Sequence, residues 1–228
     1  MIAAWRVEKI PIFENNFVFV IHNQSEAIVV DPGEASATLA FLESRTLTCR
    51  MILVTHHHND HIGGVLEIKN KYLCPVYAPN KNKTQLQNLE PLWLQEGDLV
   101  SYQDLNFKVW EMPGHTLGHI AYWNAEKEWI FSGDVLFSLG CGRLFEGTFE
   151  EAFKTLQRFK DLPSKSQIFC THDYYPNNLK FCQQEQRGLA GYHSQMPLVL
   201  SEELKFNPFL LAADALQFKI LREKRNLL

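Results

Sequence analysis

The sequence has no apolar run long enough to cross a membrane, and it has too few basic residues to form a positive surface. Its 22 lysines and arginines are outnumbered by 26 acidic residues, so the 228 residues carry a formal net charge of −4. Nucleic acids are attracted by electropositive surfaces, and a bilayer-spanning helix needs about 20 apolar residues. We therefore expect neither a nucleic-acid partner nor a membrane partner.

Cysteines are few, and none of them forms a C-x-x-C pair. There are five, an odd number for a disulfide framework. The first twelve residues include Arg6, Glu8 and Lys9 and lack the apolar segment of a secretion signal. Together these features predict reduced thiols and a cytoplasmic protein.

Up to about residue 173 the sequence contains both strand-like and helix-like apolar patterns. After that residue only helical patterns follow. Strands are expected at residues 6–12, 17–22, 27–30, 50–54, 76–78, 99–102, 105–112, 121–124, 129–132 and 167–170. Helices are expected at residues 36–45, 65–72, 149–160, 179–186 and 210–224. This order predicts a layered α/β domain over residues 1–173, followed by a small helical domain over residues 174–228 without strands.

The densest set of reactive side chains lies in residues 55–64, which read Thr-His-His-His-Asn-Asp-His-Ile-Gly-Gly. This stretch lies between a predicted strand and a predicted helix, the position where open α/β sheets carry their sites. Five of its residues are ionisable, and imidazole and carboxylate are ligands for borderline metals. A divalent cation gives all of them a partner, whereas packing alone does not.

Three more candidate ligands follow predicted strands, namely His115, Asp134 and His172. If the strand ends converge, seven ligands meet: His56, His58, Asp60, His61, His115, Asp134 and His172. One tetrahedral zinc ion takes four ligands, so seven suit two metal ions about 3.5–4 Å apart. The spacing therefore predicts a binuclear metal site.

The order of these motifs resembles the metallo-β-lactamase superfamily, whose H-x-H-x-D-H signature matches residues 56–61. The resemblance implies an αββα sandwich and assigns the ligands to two metals. The first metal is implied to take His56, His58 and His115. The second is implied to take Asp60, His61 and His172, with Asp134 bridging the two ions.

Within the superfamily, the chain most resembles glyoxalase II, the hydroxyacylglutathione hydrolases. The similarity lies in residues 140–148 (Gly-Cys-Gly-Arg-Leu-Phe-Glu-Gly-Thr), in 172–181 and in the basic segment 221–225. It implies a catalytic domain at 1–173 and a substrate-binding domain at 174–228. The substrate-binding residues implied are Arg143, Tyr174, Arg222, Lys224 and Arg225. The basic pair is open to two placements: Lys224 with Leu221 at the other position, or Arg222 with Arg225.

The implied reaction is hydrolysis of S-(2-hydroxyacyl)glutathione thioesters, such as S-D-lactoylglutathione, to D-lactate and glutathione, in methylglyoxal detoxification. A hydroxide bridging two metal ions would attack the thioester carbonyl, with Asp60 and Asp134 as catalytic residues. Zinc is the expected metal, and the donors also accept iron or manganese. We expect a monomer.

Two alternatives stay open for the reaction. One is a persulfide dioxygenase, an oxidoreductase of this fold that binds one iron through the first-site ligands. The other is a different thioester or lactone hydrolase of the same fold. Oxygen uptake, metal content and substrate range distinguish these possibilities.

Several residues near the motifs have expected roles of their own. Asp31 either orients a ligand imidazole or only forms the turn before Pro32 and Gly33. His119 is expected to cap a helix or to pack, and His22 is expected at the surface.

Overall fold

The computed structural model describes residues 4–228, which belong to two compact units, residues 1–96 and residues 97–228. Each unit is built on a six-stranded sheet with helices. The predicted mixed α/β class is confirmed. Residues 1–3, the start of the predicted first domain, lie outside the described part.

Unit 1 contains a mixed sheet in which the strands follow one another in sequence order. Its strands are β1 (Arg6–Ile12), β2 (Asn16–His22), β3 (Glu26–Val30), β4 (Thr48–Leu53), β5 (Val76–Pro79) and β6 (Leu92–Leu94). Pairing is antiparallel from β1 to β3 and parallel from β3 to β6. The central strands β2 and β4 are mostly buried, as their apolar runs predict.

The helices of unit 1 are α1 (Ser36–Ser44), α2 (Asn59–Ile62), α3 (Val65–Tyr72) and α4 (Lys83–Leu86). Leu42 of α1 and Ile68 of α3 pack into a core shared with Ile52 of β4. This packing anchors the segment between β4 and α3, which carries the histidine-rich motif. His22, expected at the surface, is buried instead, because its ring lies edge-on to Phe41 at 5.7 Å.

Unit 2 contains a second sheet and a two-stranded hairpin. The strands are β7 (Leu99–Tyr102), β8 (Leu105–Glu111), β9 (Ile120–Asn124), β10 (Trp129–Gly133), β11 (Leu136–Phe137), β12 (Gly140–Cys141), β13 (Gln167–Cys170) and β14 (Leu198–Val199). The sheet order is β14-β13-β10-β9-β8-β7, and β11 pairs with β12. The prediction of no strand after residue 174 was wrong, because β14 pairs with β13; two residues are too few to show an alternating pattern.

The helices of unit 2 are α5 (Phe149–Gln157), α6 (Tyr175–Gln184), α7 (Leu200–Phe206) and α8 (Ala215–Asn226). A capping box between Thr148 and Glu151 starts α5, and the Asp214 side chain caps α8. Phe181 and Phe218 from the C-terminal helices share one core with Ile168 of β13. The predicted domain boundary after residue 173 therefore falls inside unit 2 and stays a prediction. In residues 4–228 no helix combines the length and hydrophobicity needed to span a bilayer.

Candidate metal centre

Unit 1 carries four of the predicted ligands on the turn between β4 and α3. His58 is extended and forms the N-cap of α2, and its carbonyl accepts a hydrogen bond from the His61 amide at 2.9 Å. The rings of His56 and His61 lie 4.0 Å apart, and those of His56 and His58 lie 4.7 Å apart. A short helical turn thus gathers the imidazoles that the sequence spacing predicts.

Gly33 allows the loop after β3 to approach this turn closely. A Cβ atom at Gly33 would lie 1.9 Å from the carbonyl oxygen of Asp60. Asn16 holds the same residue from another side, since its Nδ2 donates to the Asp60 carbonyl at 3.0 Å and lies 3.1 Å from Asp60 Oδ2. The position of Asp60 is therefore determined by both neighbouring strands β2 and β3.

Asp31 orients two imidazoles of the motif. Its Oδ1 accepts from the Thr55 amide at 2.7 Å, and its Oδ2 lies 2.7 Å from Thr55 Oγ1 and 3.1 Å from His61 Nδ1. Because the Thr55 hydroxyl donates to Asp31, it accepts from Nδ1 of His56 at 3.0 Å. Asp31 thus hydrogen-bonds the imidazole of one predicted ligand and, through Thr55, is linked to that of a second, so the predicted orienting contact is present.

Unit 2 carries the other three predicted ligands around Asp134. Nε2 of His115 lies 3.5 Å from Asp134 Oδ2, and Nε2 of His172 lies 3.4 Å from the same oxygen. Nδ1 of His115 donates to the Arg143 carbonyl at 2.6 Å, and Thr171 Oγ1 donates to Asp134 Oδ1 at 2.6 Å. Asp134 Oδ2 thus faces two imidazole nitrogens in a buried site.

The donor geometry in both units suits a divalent cation. His115 uses its Nδ1 proton for a carbonyl, so in the neutral ring its Nε2 bears a lone pair that faces a carboxylate oxygen. The same relationship holds in unit 1, where His61 Nε2 lies 3.6 Å from Asp60 Oδ2 while its Nδ1 bonds to Asp31. Two lone pairs facing each other repel, and a shared cation removes that repulsion. Each unit therefore has a His/Asp cluster of the kind that binds divalent metal.

His119 packs in the interior, which is one of its two expected roles, and it also makes a hydrogen bond that the sequence patterns did not predict. It is buried, and its Nε2 accepts a hydrogen bond from the backbone amide of Asp134 at 3.1 Å. It therefore positions the turn after β10 rather than capping a helix. The roles of Asn16 and Thr171 were missed as well, because no sequence spacing links either residue to its aspartate.

The predicted substrate residues Arg143 and Tyr174 lie beside the ligands of unit 2. The Arg143 side chain is exposed above the Phe145 ring at 5.7 Å, while its carbonyl holds His115. Tyr174 stacks on His172 with ring centroids 4.9 Å apart. Tyr174 thus contacts a predicted ligand imidazole through its ring, whereas Arg143 contacts one through its backbone carbonyl.

The basic residues of α8 all have protein partners. Arg222 is buried and donates to the Cys141 carbonyl at 2.8 Å, and Lys224 bonds to Glu185 at 2.8 Å. Arg225 donates to Asn178 at 2.8 Å, and burial together with the neighbouring Arg222 lowers the pKa of its guanidinium. These contacts favour a structural role for Arg222, and its predicted contact with substrate stays a prediction.

Comparison with known proteins identifies relatives over nearly the whole chain. The metallo-beta-lactamase superfamily model matches residues 12–172. A hydroxyacylglutathione hydrolase of Bdellovibrio bacteriovorus is 48% identical over an alignment of 244 residues. The alignment covers 96% of this chain and 97% of that protein. One of Photobacterium profundum is 40% identical and covers 90% of this chain and 85% of its own length.

Solved structures share the fold at low sequence identity. ETHE1 from Myxococcus xanthus has a TM-score of 0.75 and 22% identity, covering 99% of this chain and 92% of that one. The BLEG-1 B3 metallo-beta-lactamase has a TM-score of 0.73 and 24% identity, covering 91% and 100%. At this identity the likeness establishes the metallo-β-lactamase fold and nothing about the substrate.

Proposed function

Because this chain belongs to the metallo-beta-lactamase superfamily and, within it, to the hydroxyacylglutathione hydrolases, we propose that its His/Asp clusters bind the metal ions used for thioester hydrolysis. It is a thioester hydrolase of the glyoxalase II type, acting on S-(2-hydroxyacyl)glutathione. The 48% identity to a hydroxyacylglutathione hydrolase over nearly its whole length carries this conclusion. The persulfide dioxygenase and lactonase alternatives are not favoured, because relatives at 38–48% identity bear the hydrolase name.

The proposed metal ligands follow the superfamily pattern. One ion would be held by His56, His58 and His115 and a second by Asp60, His61 and His172, with Asp134 as a ligand available to both. Bound divalent cations supply Lewis acidity, which lowers the pKa of water and polarises a carbonyl oxygen. Zinc is the proposed metal, and iron or manganese suits the same donors.

The chain's own residues orient the imidazoles and the attacking water. Asp31 and the Arg143 carbonyl keep the Nδ1 protons of His61 and His115 engaged, so that both rings present Nε2. We assign Asp60 and Asp134 as the catalytic carboxylates, which would hold the ions and orient the attacking water. The departing glutathione thiol has an ordinary pKa of about 8.5, so it leaves without a strong general acid.

Substrate recognition is proposed to use positive charge and an aromatic surface. The exposed Arg143 guanidinium suits bidentate pairing with a glutathione carboxylate. Tyr174 offers a ring and a hydroxyl, and Lys224 and Arg225 complete the proposed set, while the buried Arg222 is proposed to hold the Cys141 backbone beside them. We also propose that the protein is a cytoplasmic monomer and that this small-molecule substrate is its only partner.

Thiol release from S-D-lactoylglutathione tests the proposal directly. We expect turnover by metal-loaded protein, loss of activity with a chelator, and recovery when zinc is added back. The D134N variant should fold but lack activity and bind less metal. Intact thioester together with oxygen uptake on glutathione persulfide would instead identify an oxidoreductase.

A further inference from the structure

Two buried cysteines of unit 1 are in direct contact. Cys49 lies on β4 and Cys74 lies just before β5, the neighbouring parallel strand. Their sulfur atoms are 3.8 Å apart, and their side chains are 1% and 5% exposed. The Ile52 amide donates to the Pro75 carbonyl at 2.9 Å, so the backbone beside the pair is already joined.

We propose that Cys49 and Cys74 are a redox modification site, at which a hydroperoxide converts the two thiols into a reversible intramolecular disulfide. Adjacent strands lie about 4.8 Å apart, and disulfides span Cα separations of about 4.4–6.8 Å. The sulfurs, 3.8 Å apart, have less than about 2 Å to close before they reach the bonding distance of about 2.05 Å. In a reducing compartment such a pair is oxidised transiently rather than as a permanent crosslink.

The two thiols differ in a way that assigns the order of the steps. The hydrogen bond with Cys49 and the nearby Lys69 lower the pKa of Cys74, whereas that hydrogen bond and burial raise the pKa of Cys49. Cys74 also lies on the α3–β5 connection, where its neighbours Leu73 and Pro75 are exposed to solvent. Cys74 is therefore the thiol that a small oxidant meets first.

The chemistry balances with a hydroperoxide as the oxidant. The Cys74 thiolate attacks one peroxide oxygen, the O–O bond breaks, and a sulfenic acid and water form. The Cys49 sulfur then attacks the Cys74 sulfur, the S–O bond breaks, and the second water leaves. Two thiols have lost two electrons and two protons, and hydrogen peroxide has become two molecules of water.

The crosslink would close a loop that contains the whole histidine-rich motif. Residues 55–64 lie between the two cysteines, together with the end of β4 and helix α3. Closing this loop restricts the unfolded chain, so oxidation should raise the midpoint of thermal unfolding by about 5 °C or more. A thiol reductant should reverse the shift.

Peptide mapping of the full-length protein tests the proposal without an activity assay. Reduced protein is treated with equimolar hydrogen peroxide, denatured, alkylated and digested with trypsin. We expect alkylation to fall from five thiols to three, and peptides 46–50 and 72–81 to be linked. Dithiothreitol should restore all five.

Two single variants provide the controls. C182A removes a thiol outside the pair and should still lose two thiols on oxidation, whereas C74A should keep all four of its thiols. Five unchanged thiols in the natural protein, or a linkage between other cysteines, would overturn the assignment. If C74A does not fold, the peptide map of the natural protein alone decides.

Discussion

Nδ1 of His61 lies 3.1 Å from Oδ2 of Asp31, a carboxylate that is fully buried and also accepts both donors of Thr55. Asp31 itself has a left-handed backbone, with φ at +49°, directly after β3. One acidic residue thus connects the end of a strand, the start of the motif and the ring of a proposed ligand.

Replacing Asp31 with asparagine should weaken metal binding. Asparagine tolerates the left-handed backbone, but its amide nitrogen is a hydrogen-bond donor. It would face a second donor, either the Thr55 hydroxyl or Nδ1 of His61. We expect D31N to lose 10–100-fold in metal affinity or activity, which is typical for residues that orient a ligand. Metal titration with a competing chelator measures the affinity. The control D104N lies on the surface and should bind metal like the natural protein; equal affinity for D31N would contradict this role.

Replacing Gly33 with alanine should disrupt the motif. The new Cβ would lie 1.9 Å from the Asp60 carbonyl, and backbone must move to relieve the overlap. We expect G33A to lose about 2 kcal/mol or more in free energy of unfolding, together with metal binding. Urea denaturation and metal analysis measure both. G188A is the matched control, because no atom lies within 4 Å of its new Cβ, and it should stay within about 0.5 kcal/mol. A G33A variant with the same free energy of unfolding and metal content as the natural protein would contradict this prediction.

Replacing Arg222 with methionine should reduce stability more than substrate binding. Its guanidinium donates to the Cys141 carbonyl and lies 5.3 Å from the Phe209 ring centroid. Losing a charged hydrogen bond in a buried position should cost about 1.5–3 kcal/mol. The exposed Lys219 provides the control K219M, with little effect expected. A raised KM with unchanged thermal stability would instead favour direct contact with substrate.

Replacing Arg143 with alanine should affect binding more than chemistry, a prediction that rests on the proposed function. The side chain is exposed, while the backbone carbonyl that holds His115 is kept in the variant. Loss of one charge-assisted contact should raise KM by about 10-fold or more and leave kcat within about 2-fold. Steady-state kinetics on S-D-lactoylglutathione measure both constants, with R50A as a control. A fall in kcat at constant KM would contradict the assignment.

Glu203 should make stability depend on pH. Its buried carboxylate accepts from the Leu139 amide at 3.0 Å, from Tyr192 Oη at 2.5 Å and from Asn207 Nδ2 at 2.9 Å. Burial raises the pKa of Glu203, so the folded chain holds the proton more tightly than the unfolded chain. The free energy of unfolding should therefore fall as the pH rises from the ordinary carboxyl pKa through the raised one.

The E203Q variant isolates this contribution, since an amide does not titrate. Although E203Q should be destabilised by a misplaced donor, its deficit should shrink as the pH rises through that interval. Urea denaturation at several pH values measures the difference, with E223Q on the surface of α8 as a control. A deficit that stays constant across the interval would contradict the raised pKa.

Local features were predictable because periodicity and spacing encode them. The strand and helix periods placed β1, α3, β7 and β13 with the residue limits that the structure has. The start of α8 was placed five residues too early, since apolar spacing does not reveal that Asp214 is the cap. His22 was misplaced for a similar reason, because a polar side chain in a strand gives no sign of the aromatic ring that covers it.

By itself, the sequence determined the kind of site and the family. Four imidazoles and a carboxylate on one short turn need a common partner, which indicates a metal. The order of the motifs along the chain is specific to few folds. Only the tertiary structure decided which nitrogen His61 and His115 present, because the hydrogen bonds that Asp31 and the Arg143 carbonyl accept from them span 30 and 28 residues in sequence. Such contacts depend on strand pairing and on the close approach of backbone segments, as at Gly33. Neither can be read from residue type and spacing.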